Sequence, residues 1–497
     1  MISITAFYFA CALLLTLYGI NTHILVQLFK RRYLQRIHPH PALPSSISKQ
    51  NNAVKQSLFN VDELPPATTQ LPVFNEINVV ERLIDAVAAF KYHDGRHEIQ
   101  VLDDSTDETR MFVAEKVRLL RQQGIDIHHI TRDDRTGFKA GALRNGLSRA
   151  RGDFVAIFDA DFVPPPDFLL RAMPFFVDQP RLGLVQARWG HLNQHESWVT
   201  RLQAIGINGH FMVEQGARNA NQLFMNFNGT AGIFRKEAII DAGNWQGDTL
   251  TEDMDLSYRM QLRGWQCRYL MDLVAPAEIP RNLNAFKSQQ FRWAKGSTQT
   301  AIKLMPRIWR SSSRPFAKFQ AFMHMSHYVI HPLMLTLAIL APFLLLQKTP
   351  FLTGIGFVCF GGLLLLSCTG PSRMYLVAEH ALGRPYRHTL CLLPFMVCFG
   401  CGLAINNSQA VIEALLGKTS AFVRTPKSGG RVRKRYRIKT SPLIYIELIT
   451  GIWCLFGVGL YFASHHYLIG HFMLIYAIGF LSIGGISWWH GRGTFPL

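Results

Sequence analysis

Residues 152–168 read GDFVAIFDADFVPPPDF. The run from Phe154 to Phe158 is apolar without a break, too short for a helix and too apolar for an exposed strand. Asp159 and Asp161 follow directly, and three prolines from Pro164 then stop the chain. The pattern predicts a buried strand of an α/β sheet with paired acids at its carboxyl end, where such sheets bind their ligands. Asp159 and Asp161 flank Ala160, so their carboxylates can converge on one hard cation. Mg²⁺ and Mn²⁺ take oxygen ligands of this kind and share them with substrate phosphates.

Working outward, HEIQVLDDSTDETR (97–110) repeats the design. A β-patterned run ends in Asp103 and Asp104, and STDE offers good capping chemistry for a helix. RTGFKAGALRNGLSRA (135–150) is a glycine-containing turn entering a helix, with Lys139 at its start. Backbone N–H groups and a lysine there suit a phosphate, although the spacing fits neither a Walker A loop nor a dinucleotide fingerprint. TEDMDLSYRMQLRGW (251–265) places Glu252, Asp253 and Asp255 in the first turn of a helix, with Thr251 as the expected N-cap and Gly264 as the expected C-cap. QQFRW (289–293) puts Gln289, Arg292 and Trp293 on one helical face. An arginine there suits a diphosphate and an indole suits a sugar ring, while an amphipathic helix at a membrane surface would show the same face.

The rest of the 497-residue chain sets these motifs against a membrane. Hydrophobic residues make up 48% of the sequence, concentrated in 1–29 and again from about 319 to 489. The first stretch is long enough to cross a bilayer and ends in KRRYLQR, which predicts an anchor with its basic end in the cytoplasm. Basic residues flank the apolar segments, so the net charge of +19 reads as positive-inside topology and lipid contact rather than nucleic-acid binding. Seven of the eight cysteines sit in apolar segments, and the one C-x-x-C, Cys398 with Cys401, lacks a partner pair, so neither a disulfide framework nor a zinc site is expected. Five later apolar stretches are candidates for crossings. Counting 390–413 as one would put the basic loop 424–440 outside, so it is expected to be interfacial or re-entrant. The expected layout is an anchor at 1–33, a linker at 34–66, a cytoplasmic α/β domain at 67–284 and an amphipathic interface helix at 285–315. Two crossings follow in 316–370, then a cytoplasmic interfacial segment with a loop at 371–440, two more crossings at 441–490 and a tail at 491–497.

In this order LPVFNE (71–76), LDDSTD (102–107), KAGAL (139–143), DAD (159–161), FNGTAG (227–232), TED (251–253) and QQFRW (289–293) resemble the processive family-2 glycosyltransferases of the cellulose synthase superfamily. The similarity is closest to the cellulose-synthase-like mannan and glucan synthases. It implies a GT-A catalytic domain inserted in an α-helical transmembrane region of about five spans. The implied activity is inverting transfer from a UDP-glucose or GDP-mannose type donor to a growing glycan acceptor beside the lipid bilayer, coupled to export. By the same resemblance Asp253 is the general base. Asp103 and Asp104 hold the nucleotide. Lys139, Asp159, Asp161, Gln289, Arg292 and a Mg²⁺ or Mn²⁺ ion hold the diphosphate. Trp293, Glu252 and the run Phe227, Asn228, Gly229, Thr230 serve the acceptor. FVRTPK (422–427) resembles a gating loop through Phe422, Thr425 and Lys427, with Arg424 where the family usually has Val. No cyclic-di-GMP module is expected. Two alternatives remain: transfer of one sugar to a lipid, and a non-catalytic transporter, the latter disfavoured by the scarcity of ionisable residues within the spans.

Overall fold

The computed structural model describes residues 4–37, 64–93, 95–346, 354–420, 424, 425, 427, 429 and 441–491. Most of the expected linker, Phe422, most of the basic loop and most of the tail lie outside the described residues.

Seven strands form one mixed sheet. They are β1 (Ala67–Val73), β2 (His97–Asp103), β3 (Ile127–Thr131), β4 (Phe154–Ile157), β5 (Leu182–His191), β6 (Gly232–Arg235) and β7 (Gln266–Ala277). Their spatial order is β3-β2-β1-β4-β6-β5-β7. The first four pair in parallel, β6 runs antiparallel between β4 and β5, and β7 pairs parallel with β5. The chain winds from β1 outward through β2 to β3 and then returns to the other side of β1 with β4. The strand order therefore switches between β1 and β4, the place where such sheets open a crevice.

The apolar run that predicted β4 is buried on both faces because the side chains of a strand alternate. Phe154, Ala156 and Phe158 enter the core on one face, and Val155 and Ile157 enter the core on the other. The chain opens with α1 (Ile4–Ile37, in the membrane region), and the helices around the sheet are α2 (Val80–Ala88), α3 (Thr109–Gln122), α4 (Phe138–Arg149), α5 (Phe168–Ala172) and α6 (Pro174–Val177), followed by four more. These are α7 (Trp198–Asn208), which passes through a π-helical turn at Gly209–Gln215 into α8 (Gly216–Ala220), then α9 (Lys236–Asp241) and α10 (Glu252–Leu262). Gly264 ends α10 with φ +86°, and the Trp265 N–H reaches back to the Met260 carbonyl at 3.1 Å, as a left-handed C-cap requires. Thr251 does not cap the start of α10 as expected. Its hydroxyl lies 3.1 Å from that of Thr300 on the neighbouring helix, which takes it away from the first turn.

That neighbour is α11 (Leu283–Arg310), begun by Asn282, whose side chain accepts from the N–H of Asn284 at 2.8 Å. The chain continues through α12 (Pro315–Met325), α13 (Ile330–Leu346), α14 (Gly354–Ala381), α15 (Tyr386–Gly402), α16 (Ala404–Leu415), α17 (Leu443–Ala463) and α18 (Tyr467–Gly491). Among the described residues four stretches are long and apolar enough to cross a membrane: Ile4–Tyr33, His327–Leu345, Leu443–Ala463 and Tyr467–Gly491. The pair α15–α16 is bent by 41° and makes a fifth if taken as one broken span. α14 packs beside α1, where Thr16 lies 3.1 Å from Ser367, and it runs on past the expected 351–369 to Ala381.

Buried polar contacts tie α11 to these helices. Lys287 on α11 donates to Glu447 on α17 at 2.5 Å, with the two side chains 4% and 0% exposed. Removing one partner leaves the other charge buried and unpaired, which costs about 3–5 kcal/mol. Lys287→Met should therefore lower the thermal unfolding midpoint of the detergent-solubilised protein clearly, and Lys287→Met/Glu447→Leu should regain most of the loss. A single variant as stable as the parent would refute the pairing.

Candidate active site

A cleft of ≈ 180 Å³ opens at the carboxyl ends of β1, β2 and β4. Asp104, Asp159 and Asp161 reach it from strand ends, and Lys139 reaches it from the first turn of α4. Glu252 and Asp253 enter from the first turn of α10, and Gln289, Arg292 and Trp293 from one face of α11. Thr425 and Lys427 close it from above.

The acids are held by cations from distant parts of the chain. Lys139 Nζ donates to Asp159 Oδ1 at 2.5 Å and to the Gly229 carbonyl at 2.8 Å. Lys427 Nζ sits 2.5 Å from Asp161 Oδ2 and also donates to the Glu278 carbonyl. Arg292 Nη2 donates to Thr425 Oγ1 at 3.0 Å, so α11 holds the loop residue directly. Burial, then Glu252, and then Asp159 raise the Asp253 carboxyl to about 7 against the pull of Lys139. Burial likewise raises Glu252 and Asp159, in each case against Lys139. Lys139 is raised despite its burial, because Asp159 and Glu252 stand beside its ammonium.

The structure leaves other expected residues outside the cleft. Asp103 is buried, accepts the Ser105 N–H at 2.9 Å and lies 2.9 Å from His129, so it shapes the turn after β2. Phe227 is fully buried and packs edge-on against Phe234 with ring centroids 4.7 Å apart. Thr230 is buried too, and its hydroxyl accepts the Asp159 N–H at 2.9 Å, which fixes the start of the acidic turn. Asn228 and Gly229 do line the cleft. Asp255 makes no contribution to it: it is fully buried and pairs with Arg259 and with Lys303 on α11.

Sequence reasoning assigned no role to Glu76, Arg132 or Arg135. Glu76 follows β1 and lies in the cleft with Arg424 Nη1 at 3.6 Å from its carboxylate, and burial raises its carboxyl to about 7. Arg132 grips Asp104 with two N–H groups, at 3.0 and 2.5 Å, and Arg135 lies over the Phe74 ring at 3.2 Å. The usable signals were an acid just past a strand end in LPVFNE and the two arginines of RDDR just past β3. A second cavity of ≈ 530 Å³ begins at Asp253, Asn228 and Trp293, which line both spaces, and extends among α1, α13, α14, α15 and α18.

Residues 65–296 match a family described as glycosyltransferase like family 2. Over 495 residues the chain is 32% identical to glucomannan 4-beta-mannosyltransferase 9 of Arabidopsis thaliana, covering 93% of this chain and 87% of that one. It is 31% identical to glucomannan 4-beta-mannosyltransferase 1 of Cyamopsis tetragonoloba, over 87% of this chain and 83% of the relative. A third relative, glucomannan 4-beta-mannosyltransferase 2 of Arabidopsis thaliana, is 40% identical, and the match spans 59% of this chain and 54% of that relative. Among solved structures, the fold matches the mannosyltransferase PcManGT from Pyrobaculum calidifontis in complex with GDP-Man and Mn²⁺. The TM-score is 0.50 at 19% identity, covering 82% of this chain and 99% of that one. The catalytic domain thus has the GT-A fold, set among apolar helices that fit transmembrane regions.

Gly229 carries a testable constraint. It holds φ +85°, and a Cβ there would stand 2.9 Å from Asp253 Oδ2. Gly264 has nearly the same φ, +86°, with open space around it. Each change to Ala costs roughly 1–2 kcal/mol of backbone strain. Only Gly229→Ala also crowds the carboxylate, so it should depress sugar transfer per folded molecule far more than Gly264→Ala. Equal activity in the two variants would dissociate Gly229 from the site.

Proposed function

This chain belongs to the cellulose-synthase-like glycosyltransferases of family 2, and from that premise we propose that it builds a β-linked, mannan-type polysaccharide from GDP-mannose. The cavity that shares Asn228, Asp253 and Trp293 with the cleft carries the proposal, because a non-processive enzyme needs no path for a lengthening product. The activities by which the relatives are named favour mannose over glucose as the unit transferred. The course of that cavity among the membrane helices supports export of the chain along it. The basic end of α1 supports a catalytic domain on the cytoplasmic side.

In this reading the donor diphosphate lies between Lys139, Gln289, Arg292 and Lys427, and Asp104 faces the nucleoside. Asp159 and Asp161 suit a divalent cation: each carboxylate already holds an ammonium group at 2.5 Å, and both offer the oxygen donors that Mg²⁺ or Mn²⁺ takes. Among the described residues no group of three or more His, Cys, Asp or Glu side chains is arranged to hold a metal ion by itself, so the remaining ligands would be phosphate oxygens and water. Such an ion, when bound, neutralises charge on the departing nucleoside diphosphate. Asp253 takes the proton from the acceptor hydroxyl as that oxygen attacks the anomeric carbon from the far side, so configuration inverts. A carboxyl near 7 is well matched to that task at neutral pH. Trp293, at the junction of the two cavities, stacks on the acceptor sugar. Thr425, bonded to Arg292, and Lys427 close the loop over the donor.

Purified protein supplied in turn with labelled GDP-mannose, GDP-glucose, UDP-glucose and UDP-N-acetylglucosamine should make alkali-insoluble, mannanase-sensitive product from GDP-mannose. Excess chelator should abolish it, and Mg²⁺ or Mn²⁺ should restore it. Product from a UDP-sugar alone would overturn the donor assignment, and full activity in chelator would overturn the role of Asp159 and Asp161.

The base assignment is separable from that test. Asp253→Asn keeps the side chain's size but cannot accept a proton, and losing a general base costs about 10²–10⁴-fold in rate. GDP-mannose binding should persist. In the parent, kcat/KM should rise with pH and level off above about 7, because the carboxyl must lose its proton to act. The variant should lack that limb. An unchanged profile would place the base elsewhere.

A further inference from the structure

Arg424 lines the cleft, yet none of the roles above uses it. It stands where the gating loops that this segment resembles usually carry Val, so its charge belongs to this chain and not to the resemblance. The residues after it are firmly seated. Thr425 Oγ1 accepts from Arg292 at 3.0 Å, and the Lys427 carbonyl accepts from Asn78 Nδ2 at 3.2 Å. The Gly429 N–H donates to Glu278 Oε2 at 3.0 Å, and Arg82 holds the same carboxylate oxygen at 2.8 Å. Gly429 has φ +68°, and a Cβ there would run into the Asn78 carbonyl, so only glycine can lie this close.

The Arg424 side chain itself is held far less tightly. Its Nη1 lies 3.6 Å from Glu76 Oε1, with the two side chains 12% and 16% exposed. That is longer than the roughly 2.7–2.9 Å of a charge-assisted hydrogen bond. The pair is a loose electrostatic contact, unlike the two-pronged grip of Arg132 on Asp104. Its place in the sheet says what else could take the guanidinium. Glu76 follows β1, which lies between β2 and β4. Asp104, proposed to face the nucleoside, follows β2. Asp159 and Asp161, proposed to hold the ion on the diphosphate, follow β4. Arg424 therefore stands over the middle of the cleft. A donor laid along the strand ends in that order brings the phosphate beside its nucleoside to this point. An arginine fork matches two phosphate oxygens, whereas a valine offers them nothing.

We infer that Arg424 is a further donor-binding residue that leaves Glu76 to grip the phosphate next to the nucleoside. Glu76 is the counter-charge that holds it when no donor is bound. The inference rests on the proposed nucleotide-sugar donor and adds to it a phosphate ligand carried by the loop. The exchange gives up a long contact for a close one. It also places a cation on the donor in a cleft where Glu76, Asp159, Asp161, Glu252 and Asp253 would otherwise repel the diphosphate.

The test reads nucleotide binding to the full-length, detergent-solubilised protein by calorimetry in Mg²⁺ buffer. GDP and GMP are the probes, because GMP keeps only the phosphate beside the nucleoside. Arg424→Val should weaken both nucleotides alike, roughly ten- to hundredfold, the size of lost hydrogen bonds to a charged group. Arg424→Lys keeps the charge without the fork and should fall between. Glu76→Gln should tighten both, since it releases Arg424 and removes a negative charge. Unchanged binding in Arg424→Val would overturn the role, and a loss confined to GDP would overturn the assignment to the nucleoside-side phosphate. If Glu76→Gln weakens the nucleotides as Arg424→Val does, the pair only latches the loop and the inference falls. Should Arg424→Val fail to fold, the opposite signs expected of Arg424→Lys and Glu76→Gln decide the matter. Parent protein that binds UDP and not GDP overturns the GDP-mannose donor alone, and the same variants read on UDP and UMP then decide Arg424. Parent protein that binds neither overturns both.

Discussion

Seven carboxylates line one space of ≈ 180 Å³, and the structure depends on keeping them together. Arg132 pairs with Asp104 and Arg82 with Glu278, which leaves Glu76, Asp159, Asp161, Glu252 and Asp253. Like charges at such separations repel, and removal from water makes each ionised form dearer still. The compensation comes from three remote segments: Lys139 on α4, Arg292 on α11, and Arg424 with Lys427 on the loop before α17. None of these segments can leave without stranding a buried acid. The sheet domain and the membrane-proximal parts are therefore bound by charge balance as well as by apolar packing.

The helix α11 transmits that constraint. Its cleft face carries Gln289, Arg292 and Trp293, and two buried ion pairs tie it to the helices that follow. Lys287 reaches Glu447 on α17, and Lys295, fully buried, reaches Glu413 on α16 at 2.8 Å and Ser420 at 2.5 Å. Asn406 on α16 adds a hydrogen bond to the Lys287 carbonyl at 3.0 Å. A shift of the membrane helices would carry the residues proposed to bind diphosphate and acceptor with it. Buried ion pairs are poor sources of net stability but strict about geometry. That strictness suits a helix whose task is to hold one set of side chains at a fixed distance from another.

Much of this was legible in the sequence because the catalytic domain obeys local rules. An apolar run followed by acids is a buried strand with a site at its end, and β4 with Asp159 and Asp161 is just that. The family resemblance added the roles that spacing alone could not assign. What local pattern could not supply was the direction of side chains. Asp103 and Asp104 are adjacent, yet the alternation of β2 turns Asp103 into the sheet and leaves Asp104 in the cleft. Phe227 and Asn228 divide in the same way between core and cavity. Thr251 looked like a cap and instead meets Thr300 across the helix interface, a contact set by tertiary packing.

The loop residue Lys427 shows why the cleft needs movable charge. Its ammonium stands 2.5 Å from Asp161, where the proposed divalent cation would also be drawn. An arginine there would bind the carboxylate in a rigid fork, whereas a lysine is a compact charge on a flexible stem. It can leave Asp161 for a phosphate oxygen without moving the backbone far, since its own carbonyl is anchored by Asn78 at 3.2 Å. In the donor-free protein the same ammonium pairs with Asp161 inside a cleft whose other lysine, Lys139, is held by Asp159. On the proposed reading, one side chain thus serves the stability of the empty site and the closure of the filled one, and the donor's own negative charge decides between the two positions.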